Sequence, residues 1–405
     1  MPAGRHPLRQ SGSRGRRVAG RAADLVVIGG GIIGLAIARE AARAGLRVTV
    51  LDRGVPGGEA STAAAGILSA QYEAGGPHPL LPFLLHSRSL YPAFLRAVGR
   101  EGGLEVRIRP AGTIQVARNR AEMARLERHF VFQRSMRLPV ERLSRRRLLQ
   151  IEPGLVPGLA GGLLLPRDGG VDSVRLLAAL QRAAARAGVR IHAGTPATRL
   201  MVAGGAVIGV ASGSRRFPAG AVVIAAGAWS GAFSPPGAPP LPAHPIRGQI
   251  LCLRAGRAAP RHVIDSEAGY LVPRADGRVL VGSTMERVGF RKAVTASGLA
   301  GLTRVAAELV PGLRDTEIIG AWSGLRPATA DGLPAIGAAE VPGLYYATGH
   351  LRNGIVLAPA TARVVVRLLL GEPLEVDLEP FSPRRFSAAP AASGGRRRMA
   401  PRRAR

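Results

Sequence analysis

The sequence predicts an α/β protein in which a Rossmann-like dinucleotide-binding domain is interleaved with an antiparallel-sheet domain. Three observations predict it. A strand, a glycine-rich turn, a helix and a second strand follow one another near the N-terminus, later apolar strands and an amphipathic helix extend that pattern, and strand pairs joined by short turns stand between them. The 405 residues, of which 46% are hydrophobic, are enough for two ordinary domains.

The first unit of the chain carries the clearest motif. A run rich in β-branched residues over 24–28 is followed by GGGIIG over 29–34, by a predicted helix over 35–44 and by a second strand over 47–51. An acid, Asp52, stands at the end of the second strand. This order of strand, GxGxxG turn, helix, strand and acid is typical of a dinucleotide-binding unit.

Each part of the motif has a physical role. Gly29 permits the tight turn, Gly31 lets the backbone approach a diphosphate at the helix N-terminus, and Gly34 permits close packing of the helix on the strand. Asp52 lies 21 residues after Gly31, where a carboxylate accepts hydrogen bonds from a ribose. The motif alone does not distinguish FAD from NAD. The small-residue segment over 57–67 suits either a tight loop or backbone lying against a ligand.

The middle of the chain alternates between two patterns. A capped amphipathic helix over 174–187 and an apolar strand over 221–226 fit the returning parts of the dinucleotide-binding domain. By contrast, the run over 246–254 and the pair 269–273 and 279–282, joined by an Asp-Gly turn, predict antiparallel sheet. The second domain is therefore inserted between segments of the first.

Five stretches of sequence closely resemble the glycine oxidase family, which belongs to the D-amino acid oxidase superfamily of FAD enzymes. They are GGGIIGLAIA, LDRG and GGEASTAAAGIL near the N-terminus, WSGLRPATADGLPAIG over 322–337 and ATGHLRNGIVLAPATA over 347–362. The resemblance covers about residues 23–372. With the pattern above it divides the chain into a basic disordered extension over 1–22, an FAD-binding domain over 23–75, 150–235 and 325–372, a substrate-binding domain over 76–149 and 236–324, and a basic disordered tail over 384–405.

The resemblance implies FAD as the cofactor, held without a covalent bond. Cys252, the single cysteine, lies in a predicted apolar strand away from every motif and is expected to be a buried thiol. A helix is expected to begin near Pro359, with the loop before it at the flavin. The residues implied to contact FAD are Gly29, Gly31, Ile32, Ile33, Gly34, Asp52, Arg53, Ala60, Ser61, Ala65, Gly66, Ile67, Ala197, Gly227, His350, Leu351, Arg352, Asn353, Gly354, Ile355 and Val356.

Four residues match the family's substrate pocket. Arg326 matches the guanidinium that grips a carboxylate, a role that suits its planar fork of donors, and Tyr270 matches the hydroxyl that assists it. Met285 matches a family residue that lines the apolar side of the pocket, and Arg352 matches an active-site position beside the flavin. No side chain is predicted to be catalytic, because the flavin carries the electron chemistry. Ala268 departs from the polar residue common in the family, which leaves a strict preference for glycine open.

The implied activity is oxidation of glycine or small N-alkyl glycines by FAD and oxygen, giving an imine, glyoxylate and hydrogen peroxide. The resemblance also implies a role in thiamine-thiazole biosynthesis, a thiazole synthase as partner and a homo-oligomer, often a tetramer. Sarcosine, another secondary amine or a small D-amino acid remain alternative substrates. No motif predicts a metal, and the longest apolar run, over 25–38, is too short to span a bilayer. We expect a cytoplasmic protein.

The net charge of +30 has a separate interpretation. Six arginines lie in residues 1–22 and eight in residues 384–405, with no acid in either stretch. Basic tails bind phosphate, so a nucleic-acid-binding protein is an alternative of another class. With only 4% aromatic residues, no specific nucleic-acid function is predicted. Translation from Val18 would remove most of the first stretch.

Overall fold

The computed structural model describes residues 22–72, 75–109 and 111–387. Its strands are β1 (Ala23–Ile28), β2 (Val48–Leu51), β3 (Ile67–Leu68), β4 (Thr113–Ala117), β5 (Glu141–Ser144), β6 (Gly161–Leu165), β7 (Gly169–Gly170), β8 (Arg190–His192), β9 (Arg199–Ala203), β10 (Ala206–Ser212), β11 (Arg215–Ile224), β12 (His244–Arg254), β13 (Val263–Ser266), β14 (Gly269–Pro273), β15 (Arg278–Gly282), β16 (Glu317–Ala328), β17 (Ala335–Ala338) and β18 (Leu344–Thr348). Its α-helices are α1 (Ile32–Arg43), α2 (Ala60–Ala63), α3 (Leu80–Gly102), α4 (Arg120–Ser135), α5 (Arg145–Ile151), α6 (Ser173–Arg186), α7 (Ala296–Leu309) and α8 (Gly354–Leu370).

The first sheet has the order β17-β18-β11-β1-β2-β8, and β9 and β10 extend it beside β11. Strand β1 is parallel to both β2 and β11, with Leu25 opposite Val48 on one side and Ala221 on the other. Strand β11 is in turn parallel to β18. A parallel sheet with β1 at its centre and a helix directly after it is the Rossmann-like arrangement. The predicted fold class is confirmed.

Helix α3 belongs to this first domain, although the sequence analysis assigns all of 76–149 to the second. Its apolar side chains, among them Leu84 and Tyr91, are buried in one core with α6 and α8. The predicted boundary is wrong here because an apolar helix face shows that a helix is buried but not against which sheet.

The second sheet has the order β16-β12-β15-β14-β13-β4-β6-β5, and its pairs are antiparallel except for β13 with β4. Strand β6 lies in this sheet beside β4, whereas residues 150–235 were predicted to belong to the first domain. Helix α7 covers one face, where Leu302 and Leu309 pack with Leu251 and Leu271. The sheet is therefore buried on that side, and its other face is available for a site.

Helix α8 begins at Gly354 and contains Pro359, so the prediction that it opens near Pro359 is wrong. A proline inside a helix leaves the carbonyl four residues earlier without its usual donor. That carbonyl belongs to Ile355 and accepts a hydrogen bond from the Tyr91 hydroxyl of α3. Ser87, also on α3, donates to the next carbonyl, of Val356, at 2.6 Å. Side chains of α3 thus let α8 continue through the proline.

The C-terminal boundary also differs from the prediction. Residues Pro383–Phe386 form a 3-10 helix, and Arg385 makes an ion pair with Asp331 at 2.7 Å. The predicted tail over 384–405 therefore begins with packed residues, and its part beyond Ser387 lies outside the described residues. The same holds for the extension up to residue 21 and the proposed start at Val18. No helix within the described ranges has the length and apolar character needed to cross a membrane.

Candidate active site

A cavity of about 580 Å³ is lined by residues of both sheets. It extends from the ends of β1 and β2 to the open face of β12, β14 and β16. All of the predicted cofactor and substrate residues line it except Gly34 and Val356. Gly34 lies in α1 and Val356 is buried in α8. Residues that are far apart in the sequence therefore surround one space.

The glycine turn after β1 is closed on both sides by backbone. Gly29 has φ +106°, and a Cβ there would lie 2.4 Å from the carbonyl oxygen of Ala225. A Cβ at Gly34 would lie 1.9 Å from the carbonyl oxygen of Gly29. Both positions therefore require glycine, the first for conformation and space and the second for the close approach of α1 to the turn.

The carboxylate of Asp52 is fixed at the end of β2. One oxygen accepts the N–H of Gly30 at 2.7 Å and the other accepts the N–H of Gly54 at 2.9 Å. A carboxylate has about four lone-pair sites, so these bonds orient it and leave sites for a ligand hydroxyl. The arrangement fits the ribose of a dinucleotide.

The N-terminus of α1 faces the same cavity. Gly31 is its N-cap and provides no side-chain cap, while the Ser61 hydroxyl accepts the N–H of Ile32 at 2.9 Å. Helix N-termini favour anions because the first N–H groups and the helix dipole point towards them. The glycine turn, Asp52 and this helix end together fit a dinucleotide cofactor.

Arg53 lies at the rim of the cavity and is held by contacts with its neighbours. Two of its neighbours contact it directly: its guanidinium stacks on the Trp229 ring, with 3.5 Å between Cζ and the ring centroid, and pairs with Glu59 at 2.8 Å. Lys292 pairs with the other oxygen of Glu59 at 3.0 Å. Phe290 packs against the Trp229 ring, with 5.2 Å between the two ring centroids. The segment after β15 therefore reaches across to the dinucleotide side of the cavity.

The loop between β18 and α8 brings His350 to the cavity wall. Its side chain is buried, and its Nε2 lies 3.1 Å from the Thr361 hydroxyl. Burial lowers the pKa of His350 to about 3, so the imidazole is neutral near pH 7. Leu351 has φ +48° and donates its N–H to the Pro327 carbonyl at 2.7 Å. The loop is thus tied to β16, the strand that carries Arg326.

Arg326 lies at the end of the cavity distant from Asp52. Its Nη2 donates to the Ser283 hydroxyl at 2.6 Å and its Nη1 to the Thr284 carbonyl at 3.1 Å. Burial lowers the pKa of Arg326, while the adjacent Tyr270 hydroxyl opposes that change and Arg352 adds to it. Arginine nevertheless stays charged in proteins. Within the ranges that the structure describes, no carboxylate pairs with this guanidinium.

Met285 and Arg352 flank Arg326 less closely. Met285 is 58% exposed, with its Sδ 3.7 Å from Nη1 of Arg326, so it forms part of the rim rather than a buried wall. The Arg352 guanidinium lies 5.0 Å from the centroid of the Tyr72 ring. The backbone N–H of Tyr72 donates to the buried Asp168 at 3.3 Å.

Sequence reasoning missed several residues that shape this end. Ser283 and Tyr72 line the cavity, and Asp168, which accepts the Tyr72 N–H, also forms an ion pair with Arg88 at 2.6 Å. No spacing in the sequence marks them. The only available signal is for Ser283, which directly follows the hairpin that was predicted to carry Tyr270.

A protein-family comparison matches residues 24–368 to a family described as FAD dependent oxidoreductase. The chain belongs to this FAD-dependent oxidoreductase family. Its cofactor is therefore FAD, which the turn, Asp52 and the α1 N-terminus fit, and the resemblance drawn from the five sequence stretches is confirmed.

Individual members of the FAD-dependent oxidoreductase family are similar along nearly the whole chain. A glycine oxidase of Geobacillus kaustophilus is 37% identical over 89% of this chain and 96% of its own length. Its crystal structure has a TM-score of 0.85, covering 89% of this chain and 98% of that one. A bifunctional protein ThiO/ThiG of Trichormus variabilis is 34% identical over 90% of this chain, which spans 55% of that longer protein.

Proposed function

We propose that this protein is an FAD-dependent oxidase of glycine or small N-alkyl glycines. The observation that carries the proposal is the Arg326 guanidinium, which faces the cavity of an FAD-dependent oxidoreductase and has no carboxylate partner among the described residues. A half-buried guanidinium without a counter-ion favours a carboxylate ligand. The similarity to proteins named glycine oxidase supports a small amino acid as that ligand.

The substrate end holds the carboxylate in this proposal. Arg326 has five N–H donors, of which three go to the Ser283 hydroxyl, the Thr284 carbonyl and the Met285 sulfur, so two remain for a carboxylate. The Tyr270 hydroxyl beside it supplies a further donor. Met285 and Arg352 limit the space around the substrate. These roles would orient the Cα–H bond of the amino acid within the cavity.

When bound, FAD would supply the two-electron oxidation of the Cα–N bond, with oxygen as the final electron acceptor and hydrogen peroxide as its product. Water hydrolyses the resulting imine to glyoxylate and, for glycine, ammonia. We assign no side chain the role of acid or base. His350 is buried, neutral and hydrogen-bonded to Thr361, so it lines the cavity without exchanging a proton near pH 7.

The cofactor end would hold FAD without a covalent bond. We propose that Asp52 binds the ribose, that the N-terminus of α1 binds the diphosphate, and that the loop before α8 lies at the flavin. The remaining predicted residues, Ala60, Ser61, Ala65, Gly66, Ile67, Ala197 and Gly227, line the same cavity. Cys252, by contrast, is buried in β12 and does not line it, which supports non-covalent binding.

The imine is also a useful product in this proposal, passed to a thiazole synthase in thiamine biosynthesis. The support is the bifunctional ThiO/ThiG proteins, in which a segment similar to this chain makes up about half of a longer protein. Homo-oligomer formation and a cytoplasmic location stay predictions. Analytical ultracentrifugation and cell fractionation test them.

A secondary amine or a small D-amino acid is the alternative substrate. Ala268 lines the cavity with only a methyl group, where the family often has a polar side chain, and the smaller side chain favours a larger substrate. A comparison of kcat/KM for glycine, sarcosine, D-alanine and D-proline, measured by peroxide formation, decides between them. We expect glycine or sarcosine to give the highest value. Preference for D-proline would favour the alternative, and no turnover of any of the four by FAD-loaded protein would contradict both.

A further inference from the structure

Four residues form a diagonal row across four neighbouring strands on the cavity side of the second sheet. The strands are β16, β12, β15 and β14, in that order, and the residues are Arg326, Gly248, Gly282 and Tyr270. Tyr270 stands directly opposite Gly282, and Gly248 stands opposite Gly324, two residues before Arg326. All four line the cavity except Gly282, which lies beneath the Tyr270 ring. The two long polar side chains therefore come from the outer strands and the two glycines from the inner strands.

Both polar side chains lie over a glycine. A Cβ on Gly248 would lie 2.2 Å from Nη1, 2.3 Å from Nη2 and 2.4 Å from Cζ of Arg326. A Cβ on Gly282 would lie 2.4 Å from both Cζ and the hydroxyl oxygen of Tyr270. Such distances are far below van der Waals contact, so neither side chain could keep its place above any other residue.

The need for glycine at these positions is a need for space. Neither Gly248 nor Gly282 is among the described glycines with left-handed φ, so alanine could adopt their backbone conformation. Glycine in a strand interior commonly marks a close approach by another group. Here the approaching groups are the charged head of Arg326 and the phenol of Tyr270.

We propose that Gly248 and Gly282 are positioning residues that hold the guanidinium and the phenol flat against the sheet, turned towards each other, in the orientation that takes a substrate carboxylate. The inference rests on the proposed function. The atoms that a new methyl group would meet are the far ends of two side chains, which can rotate away. The effect of a methyl group therefore falls on carboxylate binding rather than on the fold.

The first test is Gly248→Ala, assayed by titrating FAD-loaded protein with acetate and following the visible absorbance of the flavin. Because the guanidinium is displaced, we expect the dissociation constant for acetate to rise roughly tenfold to a hundredfold. The KM for glycine should rise by a similar factor with a smaller change in kcat, while FAD content and Tm stay at the wild-type values. Unchanged acetate binding would overturn the inference, as would a wild-type protein that does not bind acetate.

Gly320→Ala is a matched control on the same sheet. Gly320 lies in β16, and the nearest atom to a Cβ there is on Trp322 at 3.9 Å, which is ordinary contact. Acetate binding should be unchanged in this variant. A loss equal to that of Gly248→Ala would show that any added methyl group disturbs the sheet, and would overturn the specific role of Gly248.

A double variant tests whether Gly248 acts through Arg326. In an Arg326→Ala background the guanidinium is gone, so Gly248→Ala should cause no further fall in kcat/KM for glycine. A further tenfold fall would contradict the inference. If Gly248→Ala alone fails to fold, the double variant should fold, because the clash is removed; failure of both would overturn the account.

These readouts separate the inference from the proposed function. Acetate binding requires no turnover, so a protein that binds acetate in a Gly248-dependent manner but oxidises no glycine would support the inference and contradict the proposed function. Rapid glycine oxidation with wild-type behaviour of Gly248→Ala would do the reverse. Gly282→Ala, compared with Tyr270→Phe, repeats the test on the other half of the row, with a smaller expected effect because a neutral hydroxyl is lost.

Discussion

The two ends of the cavity are built in different ways. At the cofactor end, the turn at Gly29, the N-terminus of α1, Asp52 and Ser61 lie within one short stretch of chain, whose side-chain oxygens accept hydrogen bonds from its own backbone N–H groups. At the substrate end, Arg326 and Tyr270 come from separate strands and meet only because the antiparallel register aligns them. Local geometry specifies the first end, and cross-strand pairing specifies the second.

Because the two ends are built differently, we expect substitutions at each end to affect different properties. Changes at the cofactor end should act on stability and FAD retention, because they disturb the packing of β1 and α1. Changes at the substrate end should act on turnover with FAD retained, because the side chains there project from a sheet that is held by its own core. Variants at the two ends test this distinction.

Gly34→Ala should have the largest effect, on the cofactor side. Its Cβ would lie 1.9 Å from a backbone oxygen, which cannot rotate away, so α1 must shift from the turn. We expect a loss of about 3 kcal/mol or more in the free energy of unfolding and purification without FAD. Denaturant unfolding and the absorbance of the purified protein check this. Gly54→Ala, where no atom lies within 4 Å, should match the wild type; normal FAD content in Gly34→Ala would contradict the account.

Arg326→Ala should cost about as much free energy as Gly34→Ala, but the cost should appear in kcat/KM and not in stability. Losing charge-assisted hydrogen bonds to the carboxylate costs about 3 kcal/mol, or roughly a hundredfold in kcat/KM. FAD content and Tm should stay unchanged, as measured by absorbance and calorimetry. Arg326→Lys should recover only part of the activity, because an ammonium group lacks the planar fork. Loss of FAD in Arg326→Ala would break the separation of the two ends.

His350 lies in the cavity wall between the two ends, and His350→Gln tests its effect on how stability depends on pH. The folded-state pKa of His350, about 3, lies below its unfolded value of 6.5, so between these pH values the unfolded chain binds a proton that the folded chain does not. Stability is therefore lost as pH falls below 6.5, by about 2 kcal/mol at pH 5 from this group. Glutamine does not titrate, so the variant should lose less stability than the wild type between pH 7 and 5. Equal losses in urea unfolding would contradict the buried, neutral assignment.

Ser61→Ala should have the smallest effect. The Ser61 hydroxyl accepts one N–H at the first turn of α1, and a hydrogen bond of this kind contributes about 1 kcal/mol. We expect FAD to bind roughly fivefold more weakly, measured by fluorescence titration of the apoprotein, with kcat unchanged at saturating FAD. Ser89→Ala, at an exposed position on α3, is the control. A fall in kcat with unchanged FAD affinity would place Ser61 with the substrate end instead.

The cofactor end and the substrate end also differ in how far they can be predicted from the sequence. The turn at Gly29 and the flanking strands are predictable because each step depends on neighbours in the chain. Pro359 misleads because Tyr91 and Ser87, more than 260 residues away, supply the hydrogen bonds that let α8 continue. For the same reason α3 was assigned to the wrong domain.

Local sequence patterns do not identify the residues of the substrate end. Arg326 is one of 55 arginines, and only its likeness to a family motif singles it out. The position of Ser283 after a hairpin and that of Gly248 within a strand are weak signals, and their roles depend on which strands lie side by side. A sequence shows strand periodicity but not the register that places a glycine beneath a guanidinium.

The most direct test of the central claim is to mix the FAD-loaded protein with glycine in the absence of oxygen and follow the visible absorbance of the flavin. We expect that glycine bleaches the flavin of the wild-type protein, that admitting oxygen restores the colour with formation of peroxide, and that Arg326→Ala bleaches far more slowly at the same glycine concentration. A flavin that keeps its colour with glycine and with sarcosine, or that bleaches equally fast in Arg326→Ala, would contradict the central claim.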